Sequence, residues 1–445
     1  GNIFRGQIAF HLLAGTNEEQ VLRNITYSNN TSKGKHAFLM TVSLGTEPMT
    51  IENLVVTGNN HTYLNDGGTQ ISNEHFAYGV RIYDSIVTNL LNAVITNNEY
   101  KNSVPDPLVP LGGVGLSGFT NIQNVNISNN AITGSTAPTA FVSYLGVGRT
   151  VSVCGNNTYN GQILDSGSGG FPRNSTGGIH IEYGDWVSGA IGLPRVTNTT
   201  FNIDNNLFQT LNSTGTTKGA AIVIEGHPDK PADSDYVGIS NLSVCGNNLQ
   251  NIIGEQGLMF DFESVKFVLK GIMIDNNILG TGLPTNGATP QNFNLPKEGL
   301  LFFGPKNDSA NPDLNSARVE NISISGNSLM NRPTASSNHG LHVEFESDVA
   351  DGVPYEIRNI SVNDNKINSL CAVGGTVSLG FYPSCSAMNI SISDNKIRAV
   401  ALGEDDYPRN GLLFTHKIGA CRVEIFQNVA AADGNDLSKT VGGIR

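Results

Sequence analysis

Charge is scarce in this chain: Asp, Glu, Lys and Arg together make up 14% of its 445 residues. Tryptophan occurs once, as Trp186. The balance of 26 basic against 38 acidic residues gives a formal net charge of −12. That sign disfavours nucleic acid, whose binders present a basic face. No apolar run approaches the length of a membrane-spanning helix, so membrane insertion is not expected. No charged–apolar–small leader opens the chain. The five cysteines, Cys154, Cys245, Cys371, Cys385 and Cys421, show no metal-ligand spacing and read as mostly free thiols. Neither a metal nor a cofactor is expected.

Glycine, at 51 residues, is plentiful, and asparagine recurs inside a fixed phrase. The phrase is apolar–x–apolar–x–x–Asn. It runs from Ile25–Asn30 and Leu54–Asn59 through Ile322–Asn327, Ile360–Asn365 and Ile390–Asn395 to Val423–Asn428. Successive Asn residues stand between 26 (Asn130 to Asn156) and 50 (Asn156 to Asn206) positions apart. A fixed phrase on a variable period means a constant core carrying loops of different length. Alternation turns Ile322 and Ile324 inward and Ser323 outward. The Asn is expected at the bend, in left-handed geometry, with its amide bonding the next Asn in a ladder.

A second phrase lies between copies of the first. It reads small–apolar–x–apolar–x, as in Gly79-Val-Arg-Ile-Tyr83, Ala140-Phe-Val-Ser-Tyr144 and Gly299-Leu-Leu-Phe-Phe303. Each repeat therefore supplies at least two strands, always in one order and direction, which builds a parallel coil. The repeats Asn321-Ile-Ser-Ile-Ser-Gly-Asn327 and Asn389-Ile-Ser-Ile-Ser-Asp-Asn395 carry a resemblance to pectate-lyase-like proteins and bacteriophage tailspikes. The resemblance implies an all-β fold: a right-handed single-stranded parallel β-helix of about twelve coils with loop insertions, spanning residues 1–445. No residue motif of the pectate lyase calcium site is present. Both ends lack an amphipathic cap, so the chain is read as part of a longer one or as closed by oligomerisation. A homotrimer packed side by side would suit a tailspike.

Three consecutive copies of the second phrase end in an acid: Gly178-Ile-His-Ile-Glu182, Ala221-Ile-Val-Ile-Glu225 and Gly257-Leu-Met-Phe-Asp261. Stacked in register, Glu182, Glu225 and Asp261 form a column on the outer face with steps of about 5 Å. Like charges that close repel one another, so stability alone does not favour the column. Glycoside hydrolysis needs paired carboxyls, one to protonate the leaving oxygen and one to attack or activate water. These three are the candidate catalytic residues. A solvated acidic face is the bland alternative.

The candidate substrate-binding residues surround them. His180 and His342 precede an acid position by two. Phe303 takes the acid's place in the coil after Asp261, Glu344 resumes it, and Glu263 follows Asp261 by two. Tyr183, Trp186 and His227 lie in or beside insertions after Glu182 and Glu225. Loops beside a rigid scaffold tend to carry binding residues, and an exposed ring can stack on a sugar. The resemblance then implies an endo-acting depolymerase of a bacterial surface polysaccharide, either O-antigen or capsule, working extracellularly or on a virion tail. Two other readings stay open: a polysaccharide lyase on the same fold, and a non-catalytic glycan-binding fibre.

Overall fold

A computed structural model describes residues 1–5, 8–14, 20–42, 49–64, 77–83, 88–102, 111–162, 175–183, 199–212, 218–226, 237–254, 256–262, 267–280, 296–304, 318–331, 339–345, 355–370, 375–381, 385–400, 410–416, 423–426 and 429–433. The described residues form strands, turns and bends, with no helix among them. The chain divides into two compact units, Gly1–Lys230 and Pro231–Arg445.

Both units are built mainly from parallel strands stacked in three files, visited in the same order from repeat to repeat, with two-residue strands such as Gly161–Gln162 and Leu211–Asn212 pairing outside them. In the first unit one file includes His36–Val42, Ala77–Tyr83, Ser175–Tyr183 and Lys218–Gly226. The next includes Met49–Thr57, Thr88–Thr96 and Thr199–Asp204. Leu111–Ser128 and Ala140–Cys154 are long enough to run through both. The third file holds short strands such as Thr31–Gly34, Asn60–Tyr63 and Glu99–Asn102. The second unit repeats the plan with Gln256–Asp261, Glu298–Phe303 and Leu341–Phe345 in the first file. Phe267–Asp275, Arg318–Ser325 and Tyr355–Asn363 follow in the second, and Ser328–Asn331 with Lys366–Leu370 in the third. Parallel pairing throughout is what a parallel β-helix requires.

Register stacks like on like. Leu116, Val142, Ile181 and Ile224 follow one another in line, and all are buried. In the second unit Phe260, Phe302 and Val343 do the same, with the first two rings 5.7 Å apart. Such columns remove apolar surface from water at every step, the main favourable term in folding.

The asparagine ladder forms in both units. Through Asn30, Asn59, Asn98, Asn130, Asn156 and Asn206, each backbone N–H and each side-chain Nδ2 donates to Oδ1 of the next Asn at 2.9–3.1 Å. Asn247, Asn277, Asn327, Asn365 and Asn395 repeat the pattern; Asn428 lies outside the described residues. The second Nδ2 hydrogen goes to a backbone carbonyl, as from Asn327 to Ile274.

The left-handed residue is not the ladder Asn, as expected from the sequence, but the one before it. Asn29, Gly58, Asn97, Asn129, Gly155 and Asn205, with Gly246, Asn276, Gly326, Asp364 and Asp394 in the second unit, all have φ between 52° and 66°. Asn, Asp and Gly tolerate that region best, which explains the residue types at this position. A second left-handed position stands six residues ahead of the ladder, at Asn24, Asn53, Asn92, Asn124, Asn241, Asn321, Asn359 and Asn389. Several of these link into an exposed amide ladder, as Asn359 to Asn321 at 2.9 Å and Asn389 to Asn359 at 3.0 Å. The Asn-x-Ser triplets at Asn321 and Asn389 therefore have a structural origin.

The small residue that opens the second phrase also has a physical cause. A Cβ on Gly178 would run into Cε1 of Phe208, a buried ring on a short third-file strand. Gly79 meets Tyr100 in the same way. Overpacking of this kind costs about 1–3 kcal/mol. The Gly178→Ala variant is expected to lose that much, read as a lower urea midpoint at unchanged slope.

Candidate functional site

Register decides which acids meet. Glu182 pairs with Glu225 in the first unit, and Ser143 precedes Glu182 in the same line. Asp261 belongs to the second unit, where its register partner is Phe303 and Glu344 follows Phe303. The phrase at Ala140–Tyr144 sits one residue further on than its sequence suggests. Ala140 pairs with Ile179, so Ser143 and not Tyr144 takes the acid position. Phe141 and Val142 are both buried, which leaves the alternation there without a polar marker.

The first-unit acids are not on a solvated wall. Glu182 is 2% exposed and Glu225 6%. His180, expected on an open face, is fully buried between its register neighbours Phe141 and Val223. Its Nε2 lies 2.7 Å from Oε1 of Glu225, one strand over and two residues along, and the Phe141 ring stands nearly perpendicular to it at 5.2 Å. Alternation does turn Glu182 and His180 away from the Ile179–Ile181 core. What it does not give is exposure, because both faces of this strand are covered. Tyr183 is described only by its backbone, paired with Tyr144 and Gly226. Trp186, His227 and Glu263 lie outside the described residues.

In the second unit the wall opens only past Asp261, whose own strand is buried throughout. Asp261 is 6% exposed, while Phe303, His342 and Glu344 are all half-buried. Alternation puts Asp261, Phe303 and Glu344 in one outward line, one strand apart at each step. His342 stands two residues before Glu344 on the same strand. Its Nε2 is 3.1 Å from Oε2 of Glu344 and its Nδ1 3.7 Å from Oε1 of Glu298. Gln256 Nε2 donates to the other Glu298 oxygen at 3.4 Å. The His342 ring also packs edge-on against His339, centroids 4.7 Å apart, and against Phe303 at 5.8 Å. Glu298, His339 and Gln256 were not legible as site residues, since they precede the second phrase instead of falling in it. Among the described residues no group of three or more His, Cys, Asp and Glu is arranged to hold a metal ion.

Burial alone would lower the pKa of His342. Hydrogen bonds and charge from Glu298 and Glu344 outweigh it and raise the imidazole from 6.5 to about 9. The folded state therefore binds the proton more tightly than the unfolded state. The stabilisation is fully present below about pH 6.5 and is lost as pH climbs through 9. Its size is on the order of 3 kcal/mol. Denaturant midpoints of wild type and His342→Gln are expected to differ most below pH 6.5 and to converge above pH 9; a constant gap across that range would show that the imidazolium contributes nothing.

The wall thus offers two carboxylates two strands apart, an aromatic ring between them and a cation beside one. That set suits proton transfer at a bound polyol. No protein-family model, curated protein or solved structure matches this chain.

Proposed function

We propose that this protein is a polysaccharide depolymerase of the β-helix kind, hydrolysing internal linkages of a bacterial surface glycan with Asp261 and Glu344. In this reading the parallel files are the coils of a right-handed single-chain β-helix, about twelve in number as the repeats count, and the protein works outside the cell, where its substrate is. The observation that carries the reading is the outward line Asp261–Phe303–Glu344. Two strand steps put the Cα atoms of the two acids roughly 10 Å apart. Inverting glycoside hydrolases separate their carboxyls by about 6.5–9.5 Å to admit a water. Phe303, between them, offers a ring face for a sugar. The Glu182–Glu225 pair is adjacent, but its surroundings are sealed: Phe141, Ser143, His180 and Val223 are all buried.

The test is digestion of capsular and O-antigen polysaccharides, followed by size and reducing-end analysis. Oligosaccharides with new reducing ends are expected. Products absorbing as unsaturated uronates would replace hydrolysis with elimination. Binding without any product over long incubation would make the chain a glycan-binding fibre instead.

A further inference from the structure

The two units bury different chemistry in the third file. In the second unit its buried positions are Leu249, Leu279, Leu329, Ile367 and Ile397. In the first unit the same line runs Ser32, His61 and Tyr100 before it reaches Ile132. His61 is fully buried, with Nδ1 2.8 Å from the Ser32 hydroxyl and the Tyr63 ring edge-on at 4.9 Å. A second imidazole, His36, opens the strand His36–Val42 at 2% exposure, and its Nδ1 donates to the Tyr78 carbonyl at 2.9 Å. His61 is faced by Ser32 from the preceding coil, Tyr100 from the following one, Tyr63 on its own strand, and the backbone of Gly34 and Lys35. His36 is faced by Ile8, Tyr78, Arg81, Lys35 and His61. Among the described residues the charged groups acting on His36 are therefore all cationic.

We propose that His36 and His61 form an acid-sensitive catch in the first unit: proton uptake by either ring opens the strands Thr31–Gly34, His36–Val42, Asn60–Tyr63 and Ala77–Tyr83, while the second unit stays closed. A charge taken out of water without an opposite partner is strongly disfavoured. Burial is the largest influence on both rings. It holds His36 down to about 3 and His61 to about 4, against the bonds to Tyr78, Gly34 and Lys35 that favour the proton. The opened chain takes up these protons near pH 6.5, and the closed coils do not. The closed form is thus fully favoured above about pH 6.5 and weakens as pH falls toward 4 and then 3. His342 has the reverse sign, because Glu298 and Glu344 flank it and retain its proton. Coils stacked in one dimension open locally without the rest of the array. The catch operates whether or not the second unit cleaves a glycan.

The test is hydrogen–deuterium exchange of the full chain, read by mass spectrometry at about pH 7.5 and about pH 5 and corrected for the intrinsic pH dependence of exchange. A ring that takes its proton at 6.5 only when the coil is open raises the opening constant by about 30-fold between those two values. Peptides covering Thr31–Gly34, His36–Val42 and Asn60–Tyr63 are expected to lose at least that much protection in acid. Peptides covering Tyr355–Asn363 and Lys366–Leu370 are expected to change by less than about threefold. His36→Gln and His61→Gln are each expected to shrink the acid loss, and the double variant to bring it down to the level of the second unit. Each ratio compares a variant with itself, so a variant that is merely less stable still reports. Unchanged protection in the first unit, or an equal loss in both units, would overturn the proposal. So would a double variant that keeps the full loss. Should the double variant fail to fold, both single variants keeping the whole wild-type loss would overturn it equally.

Discussion

Replacing Asn327 with leucine is expected to cost about 3–5 kcal/mol, a large fraction of the stability of an ordinary domain. The size follows from what is left behind. Asn327 Oδ1 accepts from both the backbone N and the Nδ2 of Asn277, and its own Nδ2 donates to the Ile274 carbonyl and to Asn365 Oδ1. Leucine fills the space but satisfies none of these groups. Asn277 Nδ2 keeps its bond to Val244, and Asn365 Oδ1 keeps the backbone N–H of residue 327. The Asn277 backbone N–H loses its ladder acceptor outright, in a fully buried site. A buried group left without a partner costs roughly 1–3 kcal/mol, more than the bond was worth while made. Ser323→Ala is the control. Ser323 lies on the same coil, partly exposed, with a long 3.4 Å contact to Ser361, and is expected to change stability by less than about 0.5 kcal/mol. Urea unfolding followed by circular dichroism reads both. A loss under about 1 kcal/mol for Asn327→Leu would show that water replaces the side chain and that the ladder is ornament.

The ladder was legible because it repeats. One Asn in a turn says little, but the same Asn after every apolar–x–apolar strand fixes a position in a coil. Alternation likewise gave the parity of Ile322 and Ile324, and the end of the second phrase gave the line through Asp261, Phe303 and Glu344. Three things stayed hidden. The third file is made of strands as short as Asn248–Leu249, too short to show a period. Exposure was hidden because period two says which way a side chain points and not what covers it. His180 and His342 hold the same place in the phrase, yet the first is sealed and the second half-open. Contacts between coils were hidden because they depend on reach across strands. His180 bonds Glu225 and not its own neighbour Glu182, and Glu298 meets His342 from a position outside either phrase.

Among the carboxylates, Asp261→Asn and Glu344→Gln are each expected to cut depolymerase turnover by about 10²–10⁴-fold, the usual weight of a general acid or base. That is about 3–5 kcal/mol of barrier. Each substitution is nearly isosteric, so the Phe303 platform between them stays in place and substrate binding changes far less than kcat. An effect confined to kcat is the mark of a group that acts in the transition state. The double variant is expected to be little worse than either single one, because acid and base act in one step and their losses do not add. Glu182→Gln, in the sealed wall of the first unit, provides the contrast. It removes a carboxylate that follows the buried Ile179, His180 and Ile181 on its own strand and is expected to leave turnover within a few-fold of wild type. Should Glu182→Gln abolish cleavage while Glu344→Gln leaves it intact, the reacting carbons lie against the first unit, and the half-open wall of the second serves only to hold the glycan. Asp261 and Glu225 are equally buried, so the two outcomes turn on the other member of each pair, Glu344 against Glu182. Glu344 keeps 21% of its side chain in solvent, with His342 beside it at 18%, and that remaining access is what favours the second wall.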